Sequence, residues 1–185
     1  MQIIKSLGIY CGSSEPADNQ FKSEIIKIGE LLARHKIKLI YGGGESGLMG
    51  AVSNSVYKNG GEVEGFITEH LVNIEKVNKN IPSVKIVKTM HERKINLFNR
   101  SDAFLIFPGG IGTLEEFFEV LSWKQLNMHS KKIGIYNFKN YWCGLDKLIE
   151  HIIDYKFAGK NMKQAYKVII DIKELSEFLD LNAKN

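Results

Sequence analysis

The chain has 185 residues, 44% of them apolar and 25% charged, with a net charge of +4, the proportions of a folded globular protein expected to form a single domain over residues 1–185. The modest charge admits an anionic small ligand but supplies no basic stripe with interleaved aromatics, which argues against a nucleic-acid partner. Cys11 and Cys143 are too few and too far apart for a disulfide framework or a zinc site, so both are expected as buried thiols in a cytoplasmic setting, and the apolar run "AFLIF" is far short of the about 20 residues that cross a membrane.

Seven β-rich apolar runs alternate with helical patterns. The first, "IIKSLGIYCG", reads as a strand rather than as the core of a leader peptide, and a helix is predicted over Phe21–Arg34. "IKLIYGGG" leads to a helix over Leu48–Lys58, and "EVEGFIT" is a third strand. The segment Glu69–Lys79 fits neither period and reads as a loop with a single helical turn. "VKIVKT" then precedes a helix over His91–Arg100, "DAFLIFPGG" one over Leu114–Leu126, and "KKIGIYN" one over Leu145–Tyr155, before "AYKVIID". Strands alternating with helices imply βαβ units with right-handed crossovers: an α/β, doubly wound, mostly parallel sheet with helices on both faces. Ligands of such sheets bind at the carboxyl ends of the strands, where this chain places Gly12, Gly42–Gly44 and Gly109–Gly112.

Three of those strand ends carry chemistry. In "FPGGIGTLEE" a glycine-rich turn hands a strand over to a helix starting near Thr113. Glycine lets a backbone approach a ligand closely, and the free N–H groups of a helix N-terminus favour an anion, so Gly109, Gly110, Ile111, Gly112 and Thr113 read as a phosphate cradle. The P-loop lysine is missing, which excludes triphosphate chemistry of that type. Glu115 and Glu116 suit the helix dipole as plain first-turn charges. Glu116 also stands at the mouth of the cradle, where a bound phosphate would repel it, so a ribose hydroxyl or a water aimed at a ribose carbon is its natural object. In "TMHERK" the cations Arg93 and Lys94 open a helix against its dipole, which a nearby anion would explain; Arg100, seven residues on, belongs at the other end. "YGGGESGLMG" spells G-x-G-x-x-G with Glu69 further on, a short dinucleotide-like pattern that carries little weight alone.

Taken together, "YGGGESGLMG", "MHERK" and "FPGGIGTLEE" resemble the Lonely guy family of cytokinin riboside 5′-monophosphate phosphoribohydrolases, whose signature P-G-G-x-G-T-x-x-E corresponds to Pro108, Gly109, Gly110, Gly112, Thr113 and Glu116. "CGSS" at Cys11–Ser14 is similar to the family's first βα loop. The resemblance implies a Rossmann-like domain, a homodimer, and hydrolysis of the N-glycosidic bond of a purine nucleoside 5′-monophosphate, cytokinin-type or AMP. Arg93 and Glu116 are then expected as the catalytic pair. Lys94, the 109–113 loop, Ser122 (in place of a family threonine) and Glu75 are expected as substrate contacts.

No cofactor or metal is called for: His35, His70, His91, His129 and His151 have no ligand spacing, and no lysine stands out as a desolvated Schiff-base former. A non-catalytic nucleotide or cofactor carrier is the alternative, and it has no need of the Arg93–Glu116 pair.

Overall fold

In a computed structural model, which describes residues 3–181, all seven apolar runs form strands: β1 Ser6–Tyr10, β2 Lys38–Tyr41, β3 Val63–Thr68, β4 Val84–Val87, β5 Ala103–Ile106, β6 Lys132–Tyr136 and β7 Lys167–Ile169. Between and after them lie α1 Asn19–Arg34, α2 Gly47–Lys58, α3 Glu69–Glu75, α4 Met90–Arg100, α5 Ile111–Gln125, α6 Cys143–Asp154 and α7 Ile172–Phe178. The strands pair in parallel throughout, in the order β4-β3-β2-β1-β5-β6-β7.

Alternate strand residues enter two separate cores. Leu7, Ile9, Leu39, Leu105 and Phe107 pack with Ile25, Ile28 and Leu32 of α1, Val52 and Val56 of α2, and Leu175 and Phe178 of α7. Tyr10, Ile40, Phe104, Ile106, Ile133 and Ile135 pack on the other face with Leu97 of α4, Phe117, Val120 and Leu121 of α5, and Leu145 and Ile149 of α6. This period of two is why the strand sequences are nearly continuous in apolar residues. It also makes the molecule a helix–sheet–helix sandwich. The chain runs outward from β1 through β2 and β3 to β4, then returns on the opposite face through α4 to β5. The direction therefore reverses between β1 and β5, and a crevice opens at their carboxyl ends.

Three expectations change. Glu69–Lys79 contains a seven-residue helix, α3, whose N-cap Thr68 accepts from the Leu71 N–H at 3.3 Å. None of its residues is buried, so no apolar period marks it. A helix also follows β7: Asp171 caps α7 by accepting from the Glu174 N–H at 2.8 Å, and only Leu175 and Phe178 are buried. Cys11 is buried as expected, but Cys143 is exposed because it opens α6 on the side away from the core.

Arg100 ends α4, far along the axis from Arg93. It lies 3.9 Å from Glu64, which also accepts from Lys85 at 2.7 Å. Because so long a contact from a half-exposed arginine is worth little, and Lys85 still holds the buried Glu64, Arg100→Ala should cost below about 1 kcal/mol. Leu32→Ala, at a fully buried α1 position, should cost about 3 kcal/mol through transfer and cavity terms. Urea denaturation of the two variants checks the contrast; equal losses would contradict it.

Candidate active site

A cleft of about 770 Å³ occupies the crevice between β1 and β5. Its walls are the β1–α1 loop (Cys11 to Asp18), the start of α2, Leu71 and Glu75 of α3, Met90 and Arg93 of α4, the 108–112 loop, and Thr113, Glu115 and Glu116 of α5. Tyr141, from the β6–α6 loop, closes one side. Burial pushes the Cys11 thiol well above its ordinary value, so the one cysteine in the wall is not a thiolate.

The centre of the cleft is an ion pair. Arg93 Nη1 donates to Glu116 Oε1 at 2.9 Å, with side-chain exposures of only 9% and 12%. Arg93 Nε donates to the Phe66 carbonyl of β3, at 3.0 Å. The remaining nitrogen fills the space where a side chain at residue 42 would be: a methyl on Gly42 would collide with the Arg93 guanidinium. So the first glycine of "YGGGESGLMG" makes room for an arginine, not for a pyrophosphate. Burial raises the Glu116 carboxyl above its ordinary range, and the charge and hydrogen bond of Arg93 work in the opposite direction.

A short cap precedes this pair. Thr89 Oγ1 accepts from the Glu92 N–H at 3.0 Å, and Glu92 Oε2 accepts from the Lys88 N–H at 3.0 Å. Capping satisfies the start of α4 internally, and Arg93 sits one residue beyond it, turned inward to the cleft.

The glycine turn is built for close approach. α5 begins at Ile111, two residues before the expected start, with Gly110 as its N-cap and no side-chain cap bond. Thr113 is therefore inside the first turn and does not cap the helix; it is buried, and its hydroxyl occupies the space a side chain on Gly109 would need. Gly109 also presses on Gly12, whose N–H donates to the Pro108 carbonyl at 3.1 Å. Side chains at Gly110 and Gly112 would meet no protein atom within 4 Å, so the surface of this turn is open, and no side chain caps the helix start. The start of α2 is different. The Leu48 N–H donates to the Gly12 carbonyl at 3.0 Å, and Gly47 packs on the Ser13 and Ser14 carbonyls. The protein's own β1–α1 loop thus occupies that helix end, which removes the dinucleotide pattern, and Glu69 is exposed outside the cleft.

The other expected contacts divide. Glu75 lines the cleft, with Oε2 buried and unpartnered. The antiparallel bridge of Gly44 with Val77, and the Asn78 N–H donating to the Gly43 carbonyl at 3.2 Å, hold its segment against the glycine turn. Lys94 does not line the cleft: its ammonium is held by Glu115 at 2.7 Å and Glu119 at 2.9 Å. Partial burial works against its charge, yet these bonds keep its pKa above the ordinary lysine value. It ties α4 to α5. Ser122 is exposed, further along α5, and outside this cleft; three turns of helix separate it from the glycine turn. Tyr141, Phe21, Leu71 and Met90 line the cleft without having been singled out. Each comes from a different element, and no local pattern could have gathered them.

Fold and cleft together define a Rossmann-like α/β protein with its pocket at the switch point of the sheet. A family model described as possible lysine decarboxylase matches residues 49–179. Two cytokinin riboside 5′-monophosphate phosphoribohydrolases of Arabidopsis thaliana are each 36% identical to the chain. One match covers 93% of the chain and 80% of the relative, the other 96% and 83%. The chain belongs to this family, the Lonely guy family of its glycine signature. Among solved structures, a molybdenum cofactor binding protein from Rippkaea orientalis has a TM-score of 0.70 at 18% identity over 97% of both chains. A molybdenum cofactor carrier protein from Chlamydomonas reinhardtii has 0.69 at 15% over 97% and 98%. These likenesses concern the fold. Among the described residues no helix is long and apolar enough to cross a membrane.

Arg93→Ala tests the central pair. With Arg93 gone, only burial and the neighbouring carboxylates act on Glu116, so its folded pKa rises further above the unfolded one. A carboxyl shifted that way keeps its stability contribution at low pH and loses it as pH rises through the folded value. The variant should therefore be destabilised by about 3 kcal/mol near neutral pH and by less at pH 4, in melts at both values. An equal deficit at both would show that the carboxylate is not the group left unpaired.

Proposed function

We propose that the chain hydrolyses the N-glycosidic bond of a purine nucleoside 5′-monophosphate, cytokinin-type or AMP, to the free base and ribose 5-phosphate. The observation that carries this reading is the Arg93–Glu116 pair beside the uncapped start of α5. A carrier needs the anion cradle but not a buried carboxylate held by a fixed guanidinium next to it. The activity of the 36% identical relatives supports the same reading.

The 5′-phosphate sits at the Gly110–Thr113 turn, where N–H groups and the helix dipole favour charge. The ribose then reaches along α5 toward Glu116, one turn on. The C1′–N9 bond breaks with its electron pair leaving on the purine, which takes a proton from solvent water, and positive charge develops on the ribose. The Glu116 carboxylate stabilises that charge, orients a water at C1′ and accepts its proton. Arg93 is anchored by the Phe66 carbonyl, so its task is to hold Glu116 in place and oppose the effect of burial on its ionisation. Glu75, with an unpartnered oxygen in the wall, is placed for a ribose hydroxyl or a base N–H. Lysine decarboxylation would need a lysine amine in the cleft. None lines it among the described residues, and Lys94 is kept protonated outside it.

The test is release of free base from AMP and from isopentenyladenosine 5′-monophosphate, with adenosine as control. Both or one of the monophosphates should react, and adenosine hardly at all. Glu116→Gln should lower kcat by roughly 10², about 2.7 kcal/mol. Equal rates on AMP and adenosine, or a near-normal rate in the variant, would overturn the mechanism.

A homodimer is proposed as well. Phe117 and Leu121 of α5 are spent in the core, and Trp123 packs edge-on against Phe98 at 4.9 Å. Ile111 at the start of the same helix, and Leu126 and Met128 just past its end, remain exposed, and burying them against a second copy would favour a dimer. Light scattering at micromolar concentration should return twice the 21.0 kDa chain mass; a monomer would contradict it.

A further inference from the structure

We infer that Asn78 is a positioning residue: its buried carboxamide pins the segment after α3 to α2 and so holds the Glu75 carboxylate in the wall of the cleft. This rests on the reading of the cleft as a nucleotide site with Glu75 on the substrate. Glu75 is the last residue of α3, and none of the seven residues of that helix is buried, so the helix itself gives the side chain no firm seat. Glu75 Oε2 has no hydrogen-bond partner, so no bond to that oxygen aims it. What remains is the backbone that follows. Lys76 turns the chain at a φ of 54°, a conformation that persists in a non-glycine residue only where the surroundings impose it. The next residues lie along the glycine turn. The Glu45 N–H donates to the Lys76 carbonyl at 3.0 Å, Gly44 bridges Val77, and the Asn78 N–H donates to the Gly43 carbonyl at 3.2 Å. A side chain on Gly44 would come within 3.5 Å of Glu75 Oε2, so the carboxylate lies against that turn.

Asn78 is the only buried residue from Glu69 to Asn80, and it is a polar one with no exposed surface. Burying an amide costs stability unless its donors and acceptor are bonded, and here they are. Nδ2 donates to Ser53 Oγ at 3.0 Å and to Asn54 Oδ1 at 3.2 Å, both on α2, and Oδ1 accepts from the Asn80 N–H at 3.1 Å. The Ser53 hydroxyl donates to the Met49 carbonyl at 2.9 Å, which leaves its oxygen as an acceptor for Asn78. An apolar side chain could fill the same space, but it would not tie the segment to these two acceptors. Met49 lines the cleft, so the amide joins the segment carrying Glu75 to a helix that is itself part of the wall.

The experiment is a double-mutant cycle of Asn78→Asp with Glu75→Ala. It is read by steady-state kinetics and calorimetric titration with AMP and with isopentenyladenosine 5′-monophosphate, below the melting temperature of every variant. Asn78→Asp keeps the shape but sets an acceptor against the Ser53 and Asn54 oxygens. Glu75→Ala should raise KM and Kd roughly tenfold, the scale of one charge-assisted hydrogen bond. Asn78→Asp should raise them by a similar factor, and the double variant should be no worse than Glu75→Ala alone. A purely structural role would lower the melting temperature without that non-additivity. Hydrogen exchange gives a readout free of any ligand: peptides covering Glu69–Asn80 should exchange faster in Asn78→Asp, with those of β1 and β5 unchanged. Unchanged KM and Kd in either single variant, or effects that multiply in the double variant, would overturn the inference. Should Asn78→Asp not fold, Asn54→Ala takes its place in the cycle, with a roughly two- to threefold effect that again vanishes beside Glu75→Ala. Monophosphate binding with the non-additive cycle, but no base release, would sink the proposed reaction and leave this inference standing. Base release with multiplying effects would do the reverse.

Discussion

The contact between Arg93 and Glu116 joins the two halves of the molecule. β1 to β4 run away from the switch point, and β5 to β7 run away on the other side. Arg93 is anchored to the first half through the Phe66 carbonyl of β3 and reaches Glu116 of α5 in the second. A buried pair of this kind is not a cheap way to gain stability, because the desolvation of both ions offsets their attraction. Its presence at the carboxyl edge of the sheet, where ligands of this fold class bind, is why it reads as functional. The sequence around it follows from that need. Gly42 is a glycine because the guanidinium takes the space beside it, and Thr89 and Glu92 cap α4 so that its start needs no anion of its own.

Two glycine-rich helix starts meet the cleft, and they are treated in opposite ways. The start of α2 is covered by the Gly12 carbonyl and by the backbone of Ser13 and Ser14. The start of α5 is left without a cap. A helix end that is already satisfied offers an anion nothing, so the cleft has one open end for phosphate. The surrounding ties keep it open. Pro108 and Gly12 are bonded through the backbone, Thr113 fills the space beside Gly109, and Tyr141 holds the carbonyl of the same residue. A carboxylate one turn along is tolerable there only because Arg93 balances it. In the proposed reaction that balance leaves Glu116 ionised but weakly solvated, the state in which it stabilises positive charge on the sugar most strongly.

Lys94 and Glu75 show how much of a side chain's place a motif read along the chain can fix. Lys94 follows Arg93 directly, but adjacent residues on a helix point about 100° apart, so one enters the cleft while the other meets Glu115 and Glu119 of α5. Ser122 lies too far along α5 to share the cleft with the turn that opens the helix. Glu75 sits in a segment with no apolar period, and its place could come only from the resemblance. The backbone bridge of residues 77 and 78 to Gly44 and Gly43 carries it into the wall.

The sequence by itself determined the layered α/β fold, because buried parallel strands must be apolar on both faces and most are followed by an amphipathic helix. It also brought the candidate site's main parts together, since a glycine turn, a helix start and a carboxylate one turn later are neighbours along the chain. Helices without a strong apolar face, α3 and α7, left no such trace. Only the tertiary structure decided which of Arg93 and Lys94 faces the cleft, which of two glycine turns is open, and that Tyr141, more than thirty residues from Gly109, donates to its carbonyl. Those outcomes depend on how distant elements pack, and short-range periodicity carries no record of the partner across the sheet.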